Sequence, residues 1–441
     1  MPDALTNFRF TMKSTPPGIN IDSDKVGITA FPRIFFEDSI FNFFPRGEVV
    51  LNDKTGAIVE TFFFLESLDF AITIENTSDA LFPTMEEILS GKTTVGKLEG
   101  NFVWGQHQIN NTLLEDHISG HNFFVLESKY KNLDIAKSRA WNYETGGALN
   151  PLGAKPISEI ARQIAQEFGI VNPLLQQITP TIGNDYWLQP NITSAKFIKN
   201  ILEKNAFSPV TPKSPFFSFI NLKGEFYFMS LQQMYLQKPA ATYTLQSLQS
   251  NVATGYDDFT IKNFIVQFGG TDMNRDSYTR RGYFVDLTTG LVMKQGLKDY
   301  NIHEYQLATE GINKFTIMNQ YTQNNYYQVE DYGLCLTPDQ IETFLGRQNS
   351  YYQDTGTTYR VIIIVRYNPY VVSGKTVNLQ FAKTNKLGLI SSEFMGSWLV
   401  CESKKLCDTS GRAWSQLTLC KGGVIVDPIN PYQAAMFGVG V

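Results

Sequence analysis

The sequence predicts a β-rich α+β protein made of three consecutive blocks: a β block, a small α+β block and a second β block. Aromatic residues make up 13% of the chain and include 33 Phe and 21 Tyr, residue types that favour strands. Helical periodicity is confined to the region after Pro151. At roughly 150 residues per domain, a chain of 441 residues is expected to form about three domains.

Composition excludes several classes of protein. A hydrophobic fraction of 43% excludes intrinsic disorder, and the abundance of Phe and Tyr is not that of a coiled coil. The net charge of −5, without any block of Lys and Arg, argues against a dedicated nucleic-acid binder. The longest aliphatic run, Val361–Val365, is too short to span a bilayer, and the first residues lack the apolar segment of a signal peptide. We therefore expect a soluble protein made in the cytoplasm.

The first 150 residues show one strand signal after another without a helical period. Apolar residues at 49–51 and 57–59 flank Asn52–Gly56, which predicts a hairpin with Gly at the end of its loop. Further strands are predicted at 61–64, 70–74, 102–104 and 123–126. Such a succession predicts an antiparallel barrel or sandwich.

The second block begins with two amphipathic helices. Apolar residues recur at helical spacing from Ile157 to Phe168, with Ser158 near the start and Gly169 placed to end the helix. A second helix is predicted after Thr193, which has the chemistry of an N-cap. A hairpin follows, with strands 216–220 and 225–229 joined by the turn Asn221–Gly224.

Strand signals return from about residue 251. The strongest in the chain is Tyr359–Tyr367, which holds five consecutive aliphatic residues. Other strands are predicted at Ile261–Phe268, Gly282–Leu287, Val377–Phe381, Gly396–Cys401 and Ala413–Leu419. The polar stretch 296–350 is interpreted as an insertion with a helix near Pro338–Leu345, and the Gly- and Pro-rich tail 421–441 as partly extended.

Two Gly-Lys-Thr stretches do not form phosphate-binding loops. Such a loop needs a further Gly five residues before the motif, where this sequence has Glu86 and Pro369. We interpret Gly91–Thr93 and Gly374–Thr376 as turn residues between strands.

The histidines and cysteines do not predict a metal site either. His117 and His121 would share a helix face beside Glu115 and Asp116, but Gly120 and the strand-like surroundings favour surface-loop histidines. Cys401, Cys407 and Cys420 match no zinc-binding spacing, and the four cysteines of this long chain do not resemble a disulfide framework. We expect Cys401 and Cys420 to be buried free thiols.

Catalytic signatures are equally absent from the sequence. It has no Gly-x-Ser-x-Gly motif, and the adjacent carboxylates Glu86–Glu87 and Asp257–Asp258 do not predict the two carboxylates across a cleft that a glycosidase needs. We predict no catalytic, cofactor-binding or metal-binding residue, no cofactor, and a structural rather than an enzymatic protein.

The order of motifs in the second block resembles the central region of tail-hub proteins of contractile-tailed, T4-like phages. The matching segments are Ser158–Ile170, Gln189–Pro190, Thr193 with Phe197–Leu202, Ser214–Phe219 and Gly224–Phe228. Nearer the C-terminus, Tyr370–Val377 resembles the family's turn into a barrel strand, while Trp398–Val400 and Trp414–Leu419 resemble its closing hairpin. Together these segments extend over about half of the chain, and none of them is a catalytic motif.

The resemblance implies two tail-tube-like antiparallel β-barrels and an α+β domain. On this basis we predict a first barrel over 1–130, an α+β hub domain over 131–250, and a second barrel formed by 251–270 and 355–427. Residues 271–354 are predicted to be an insertion packed partly against the α+β domain, and 428–441 a tail.

The implied function is that of a baseplate hub in the virion. A homotrimer would form a pseudo-six-fold ring that joins the hexameric tail tube to the three-fold central spike. Its other implied partners are the tape measure protein and neighbouring baseplate proteins, with DNA passing through a channel without specific binding and with no membrane partner. The alternatives are the hub of a contractile injection or secretion system, a receptor- or glycan-binding tail protein using Tyr326–Tyr327 or Tyr351–Tyr352, and a wall hydrolase.

Overall fold

The computed structural model describes part of the chain in detail. The described residues are 8–15, 20–22, 33–53, 69–76, 97–114, 117–141, 155–182, 187–210, 214–245, 261, 263–268, 279–285, 292–296, 328–334, 359–381, 395–407 and 413–421. Among them, no helix is both long and apolar enough to cross a membrane.

Strands dominate these residues, and helices are few. The strands are β1 (Phe8–Thr15), β2 (Asn20–Asp22), β3 (Arg33–Ser39), β4 (Arg46–Asp53), β5 (Asp69–Asn76), β6 (Lys97–Leu114), β7 (His117–Ser128), β8 (Lys137–Ala140), β9 (Gln176–Ile178), β10 (Leu188–Ile192), β11 (Phe216–Ile220), β12 (Phe226–Ser230), β13 (Ala241–Leu245), β14 (Asn263–Phe268), β15 (Thr279–Val285), β16 (Val292–Gly296), β17 (Gln328–Leu334), β18 (Tyr359–Arg366), β19 (Thr376–Phe381), β20 (Gly396–Cys407) and β21 (Ala413–Lys421). The predicted β-rich α+β class is confirmed.

One largely antiparallel sheet runs through strands from both ends of the chain. The N-terminal β block contributes the order β3-β4-β7-β6-β5-β1-β2, and the C-terminal β block contributes β14-β18-β21-β20. These two series meet where β3 pairs with β20, a contact that we call the seam. At the other edge of β20, β21 pairs along almost its whole length.

The seam exists because β20 changes partner along one edge. Its first residues, Gly396–Leu399, pair with β19, and its second half, Glu402–Cys407, pairs with β3. A β-bulge at Cys401 lies at the point of change, and the backbone N–H of Ile40 donates to the Cys401 carbonyl there at 2.9 Å. A bulge bends the strand that carries it, which allows one strand to serve two sheet directions.

The α+β unit, residues 129–236, carries the predicted helices. Helix α1 spans Ile157–Glu167 and buries its apolar stripe, and Gly169 follows it at a φ of 77°. Helix α2 consists of Ser194–Phe197, the wider π turns of Ile198–Leu202, and Glu203–Asn205. Thr193 caps α2 as predicted, because its hydroxyl accepts from the backbone N–H of Lys196.

Other small elements complete the unit. Strands β11 and β12 form the predicted hairpin, and β9 lies parallel to β12. Strands β8 and β10 form a separate antiparallel pair, helix α3 is Leu231–Tyr235, and two 3₁₀ turns are Lys129–Leu133 and Pro173–Leu175. Helix α1 starts as predicted, with Ser158 as its second residue and Pro156 at the N-cap position. The backbone N–H of Ser158 donates to the Thr181 hydroxyl, and the Ser158 hydroxyl accepts from the backbone N–H of Thr181.

The remaining strand predictions are partly confirmed. Strands β4, β5, β6, β7, β14, β15, β18, β19, β20 and β21 overlap predicted strands. The second strand of the first predicted hairpin, the strand at 61–64, the helix near 338–345 and the tail lie outside the described residues. Within the predicted insertion, β15, β16 and β17 form a small sheet of their own. Outside the insertion, β13 lies parallel to β19 in the main sheet.

Candidate functional site

A network of buried polar side chains connects the three blocks at the point where they meet. We call it the joint and define it as Asp38 of β3, the hairpin turn 221–225, the turn 371–375, and Lys405 of β20. Each of these four parts belongs to a different stretch of the chain. Because sheet residues alternate between faces, Asp38 and Lys405 lie on the core side of the seam.

One carboxylate connects all three blocks. Asp38 of the N-terminal β block accepts from the backbone N–H of Leu222 at 2.8 Å, in the hairpin turn of the α+β unit. Its other oxygen accepts from the N–H of Ser373 at 3.2 Å, in the C-terminal β block. Asp38 is only 2% exposed, so these bonds form without competition from water.

Lys405 provides the opposite charge nearby. Its ammonium donates to the carbonyls of Asn368 and Val371, both at 2.7 Å, and to the Ser415 hydroxyl at 3.0 Å. Three acceptors match the three donors of a protonated lysine. Burial lowers the pKa of Lys405 to about 7, against the opposing field of Asp38. Burial likewise raises the pKa of Asp38 to about 6, although the Leu222 amide and Lys405 favour its ionised form.

The tip of the β11–β12 hairpin is held on its other side by a second ion pair. Glu225 lies 3.0 Å from the Lys375 ammonium and accepts from the Asn221 amide at 2.8 Å and the Tyr227 hydroxyl at 3.2 Å. Burial disfavours the ionised form of Glu225, but Lys375 and Asn221 outweigh burial, so its pKa is lowered. The hairpin is therefore tied to the C-terminal β block by charge as well as by Asp38.

Aromatic packing fills the space between the hairpin and the turn at 371–375. Phe219 stacks on Tyr227 with ring centroids 4.6 Å apart, and both side chains are fully buried. Gly374 has a φ of 82°, and a Cβ built there would lie 2.6 Å from the Phe219 ring. A residue without a side chain is therefore required at 374, both for the backbone conformation and for the approach of the hairpin.

A disulfide lies at the edge of the joint, and it corrects the expectation of free thiols. Cys401 and Cys420 are bonded, with Cα atoms 6.1 Å apart. In regular register Leu399 faces Cys420, and the bulge turns the inserted residue Cys401 towards the same partner. A bulge cannot be predicted from the spacing of residues in the sequence, so the sequence could not predict the disulfide between Cys401 and Cys420.

The disulfide leads to a stability prediction. Replacing Cys401 and Cys420 together by Ala should lower the free energy of unfolding by about 3 kcal/mol, because the link limits the unfolded chain. Guanidinium denaturation with and without reductant measures the change. Reductant should bring the natural protein to the level of the double variant and leave that variant unaffected. Recovery of both residues as free thiols from the unreduced protein would contradict the assignment.

A pH prediction follows from the two perturbed groups. Because the pKa of Asp38 is raised to about 6, its contribution to stability is lost as the pH rises through 6. Because the pKa of Lys405 is lowered to about 7, the stability that Lys405 contributes is lost as the pH falls through 7. Asp38 opposes this lowering, so in its absence the pKa of Lys405 would be lower still. Between pH 7 and pH 5 the natural protein should gain about 1 kcal/mol relative to Asp38→Asn. Urea denaturation at both pH values measures this difference, and parallel profiles would refute it.

The residues weighed for chemistry lie apart from the joint, with one exception. Lys375 of the second Gly-Lys-Thr stretch pairs with Glu225, and Gly374 forms a turn as predicted. His117 and His121 lie in β7 rather than in a loop, which corrects that detail. Within the described part of the chain, no group of three His, Cys, Asp or Glu could hold a metal.

Several of the weighed residues fall outside the described part. These are Gly91–Thr93, Glu86–Glu87, Glu115 and Asp116, Asp257–Asp258, Tyr326–Tyr327, Tyr351–Tyr352 and Cys335. The expectation that the chain has no catalytic, cofactor or metal residue stays a prediction.

Sequence reasoning missed the two central residues of the joint. Ile34, Phe36 and Asp38 follow one another at the two-residue spacing of a strand, so the period alone places Asp38 on the core face. That signal was present, but a charged residue is normally assigned to the solvent face. Lys405 lies in Glu402–Cys407, a polar stretch beyond the predicted end of its strand.

Comparison with known proteins supplies a fold relationship. The sequence matches no protein-family model and no curated protein sequence. Among solved structures, the chain is similar to the 43 kDa tail protein of prophage MuSo2 from Shewanella oneidensis, with a TM-score of 0.53 and 11% identity over 94% of this chain and 98% of that one. At this identity the similarity establishes a common fold.

Two solved structures with lower TM-scores are a tail protein and a protein described as similar to phage tail proteins. The tail protein from Neisseria meningitidis MC58 gives a TM-score of 0.49 at 9% identity over 95% of this chain and 98% of that chain. The E. coli c3393 protein, described as a component of the type VI secretion system, gives 0.43 at 8% identity over 90% of this chain and 76% of that chain. We base the fold on the MuSo2 protein alone.

Proposed function

We propose that this protein is a structural subunit of a phage tail and has no enzymatic activity. The observation that supports this most strongly is the fold shared with the MuSo2 tail protein, which extends over 94% of this chain. At the joint, the buried charged groups Asp38 and Lys405 bond to backbone groups and side chains of the protein itself and hold the three blocks in contact. Buried groups that bond only to one another are typical of a structural role.

The finer proposal is a baseplate hub. Three copies would form a ring in which six β blocks, two from each chain, face the six-fold tail tube, while the three-fold symmetry of the ring suits a central spike. The proposed tube-like barrels are 1–130 and 251–270 with 355–427, with 131–250 as the hub domain, 271–354 as an insertion and 428–441 as a tail. Tube, spike, tape measure and neighbouring baseplate proteins are the proposed partners, and the virion tail is the proposed location.

The seam and the joint support this assignment physically. A ring that presents six equivalent positions from three chains needs the two β blocks of each chain at a fixed angle. Pairing of β3 with β20 fixes them through backbone hydrogen bonds, and Asp38 fixes the hairpin against both. Interfaces within a chain that are merely polar and small would instead leave the blocks free to move.

Mass and shape of the purified protein test the proposal. One chain has a mass of 49.9 kDa, so a trimer should give about 150 kDa by light scattering. Images of the same sample should show rings with a central channel. A stable monomer at micromolar concentration, or a monomer that binds glycans, would refute the hub assignment.

A further inference from the structure

The disulfide between Cys401 and Cys420 lies beneath the α+β unit. Both side chains are 0% exposed. They belong to a buried cluster to which the β20–β21 pair and Ile40 contribute one side, and the hairpin and helix α3 contribute the other. We call the side from the α+β unit the cover; its members are Phe217, Phe219, Tyr227, Leu231, Met234 and Tyr235. The cover therefore belongs to a different block of the chain from the strands that carry the disulfide.

Helix α3 holds the cover in place. It contacts β20, and the Tyr235 hydroxyl lies 3.8 Å from the Cys420 sulfur. Just after the helix, the Gln237 side chain donates to the Gly374 carbonyl at 3.0 Å, and the Gln237 carbonyl accepts from the Thr376 hydroxyl at 2.9 Å. These bonds tie the end of α3 to the C-terminal β block. The sulfurs become accessible only when α3 and the hairpin move away from that block.

Reduction of a disulfide requires direct access to sulfur. The thiolate of a reductant attacks one sulfur, forms a mixed disulfide with it and releases the other cysteine as a thiolate. In a dithiol reductant the second thiol then displaces the first cysteine, so the reductant leaves as a cyclic disulfide and both cysteines leave as thiols. A charged thiolate is excluded from a close-packed apolar cluster. Re-oxidation has the same requirement, since apolar surroundings keep a buried thiol protonated and unreactive.

We propose that the Cys401–Cys420 pair is a redox-sensitive lock on the docking of the α+β unit. While the unit is docked, the pair can be neither reduced nor oxidised, so its state is fixed when the chain folds. The disulfide in turn favours docking, because two separate thiol sulfurs need more room than a bonded pair inside a close-packed cluster. The inference concerns a single chain and does not depend on the proposed ring.

The rate at which dithiothreitol reduces the folded protein tests the proposal. Thiols released at Cys401 and Cys420 are trapped with iodoacetamide and measured by mass spectrometry. Leu231→Ala removes part of the cover. Ile363→Ala is the matched control, because Ile363 is equally buried but belongs to a different cluster, inside the C-terminal β block. Urea denaturation first establishes that each variant folds and how much stability it loses.

The natural protein should be reduced at least about a hundredfold more slowly than oxidised glutathione, an exposed disulfide, under the same conditions. Leu231→Ala should raise the rate at least about tenfold, and Ile363→Ala should change it by less than about threefold. Reduction as fast as that of oxidised glutathione, or an unchanged rate in Leu231→Ala, would overturn the proposal. Equal acceleration by both variants would also overturn it, since the sulfurs would then be reached through global unfolding.

Two measurements on the natural protein decide the matter even if Leu231→Ala does not fold. Urea should accelerate reduction with a smaller slope than it has for global unfolding, because only the surface under the cover becomes exposed. After reduction, the backbone amides of β11 and β12 should exchange hydrogen at least about threefold faster, while those of α1 keep their rate. A slope equal to that of global unfolding, or unchanged exchange in the hairpin, would contradict the lock.

Discussion

Replacing Asp38 by Ala is expected to lower the free energy of unfolding by about 3–5 kcal/mol. The substitution removes the negative charge that favours the protonated form of Lys405, so the buried ammonium either stays without its counterion or gives up a proton that one of its three acceptors needs. Removal of one partner of a buried pair typically has a cost of this size. It also leaves the N–H groups of Leu222 and Ser373 without their acceptor. Chemical denaturation monitored by tryptophan fluorescence measures the change. Glu159→Ala on the surface of α1 is the control and should change stability by less than about 0.5 kcal/mol.

A double-mutant cycle separates the pair from its surroundings. Lys405→Met removes the other charge while keeping an unbranched side chain of similar length. The double variant Asp38→Ala with Lys405→Met should be more stable than the sum of the two single effects predicts, by at least about 1 kcal/mol. Strictly additive effects would show that the two groups do not interact and that the joint is not a coupled unit.

Replacing Phe219 by Ala should lower the free energy of unfolding by a similar amount, about 3–5 kcal/mol. The ring is fully buried between Tyr227 and the turn that contains Gly374, so truncation opens a cavity between the hairpin and the C-terminal β block. Phe219→Leu, which keeps most of the volume, should have a much smaller effect. A loss below about 1 kcal/mol for the Ala variant would contradict the packing of the hairpin at the joint.

Gly374 provides an internal check on the same contact. Gly374→Ala alone adds a Cβ that meets the Phe219 ring and places a side chain at a positive φ. When Phe219 is already Ala, the steric part of this cost disappears and the conformational part remains. The combined variant should therefore lose less stability than the sum of the single losses, and additivity would place the ring elsewhere.

Local sequence signals predicted the local parts of the fold. The apolar stripe of α1, the capping hydroxyl of Thr193 and the turn at Asn221–Gly224 each depend on residues close in the chain, and the structure has all three. The aliphatic run in β18 was an equally clear strand signal. In the structure β18 pairs with β14 on one side and with β21 on the other, and its core-facing residues are buried.

The seam had no such signal. Strand β3 pairs with β20, which lies more than 360 residues later, and neither segment has a sequence pattern that predicts this pairing. The second half of β20 contains Glu402, Lys404 and Lys405, so the hydrophobic pattern ended the predicted strand too early. Both features arise from tertiary contacts: Lys405 is buried because three acceptors meet its ammonium, and the strand continues because β3 supplies hydrogen bonds.

A three-dimensional image reconstruction of the purified protein tests the central claim most directly. We predict a three-fold ring in which each subunit contributes two β blocks joined through β3 and β20. Particles in which the N- and C-terminal β blocks are separated would contradict the account as a whole.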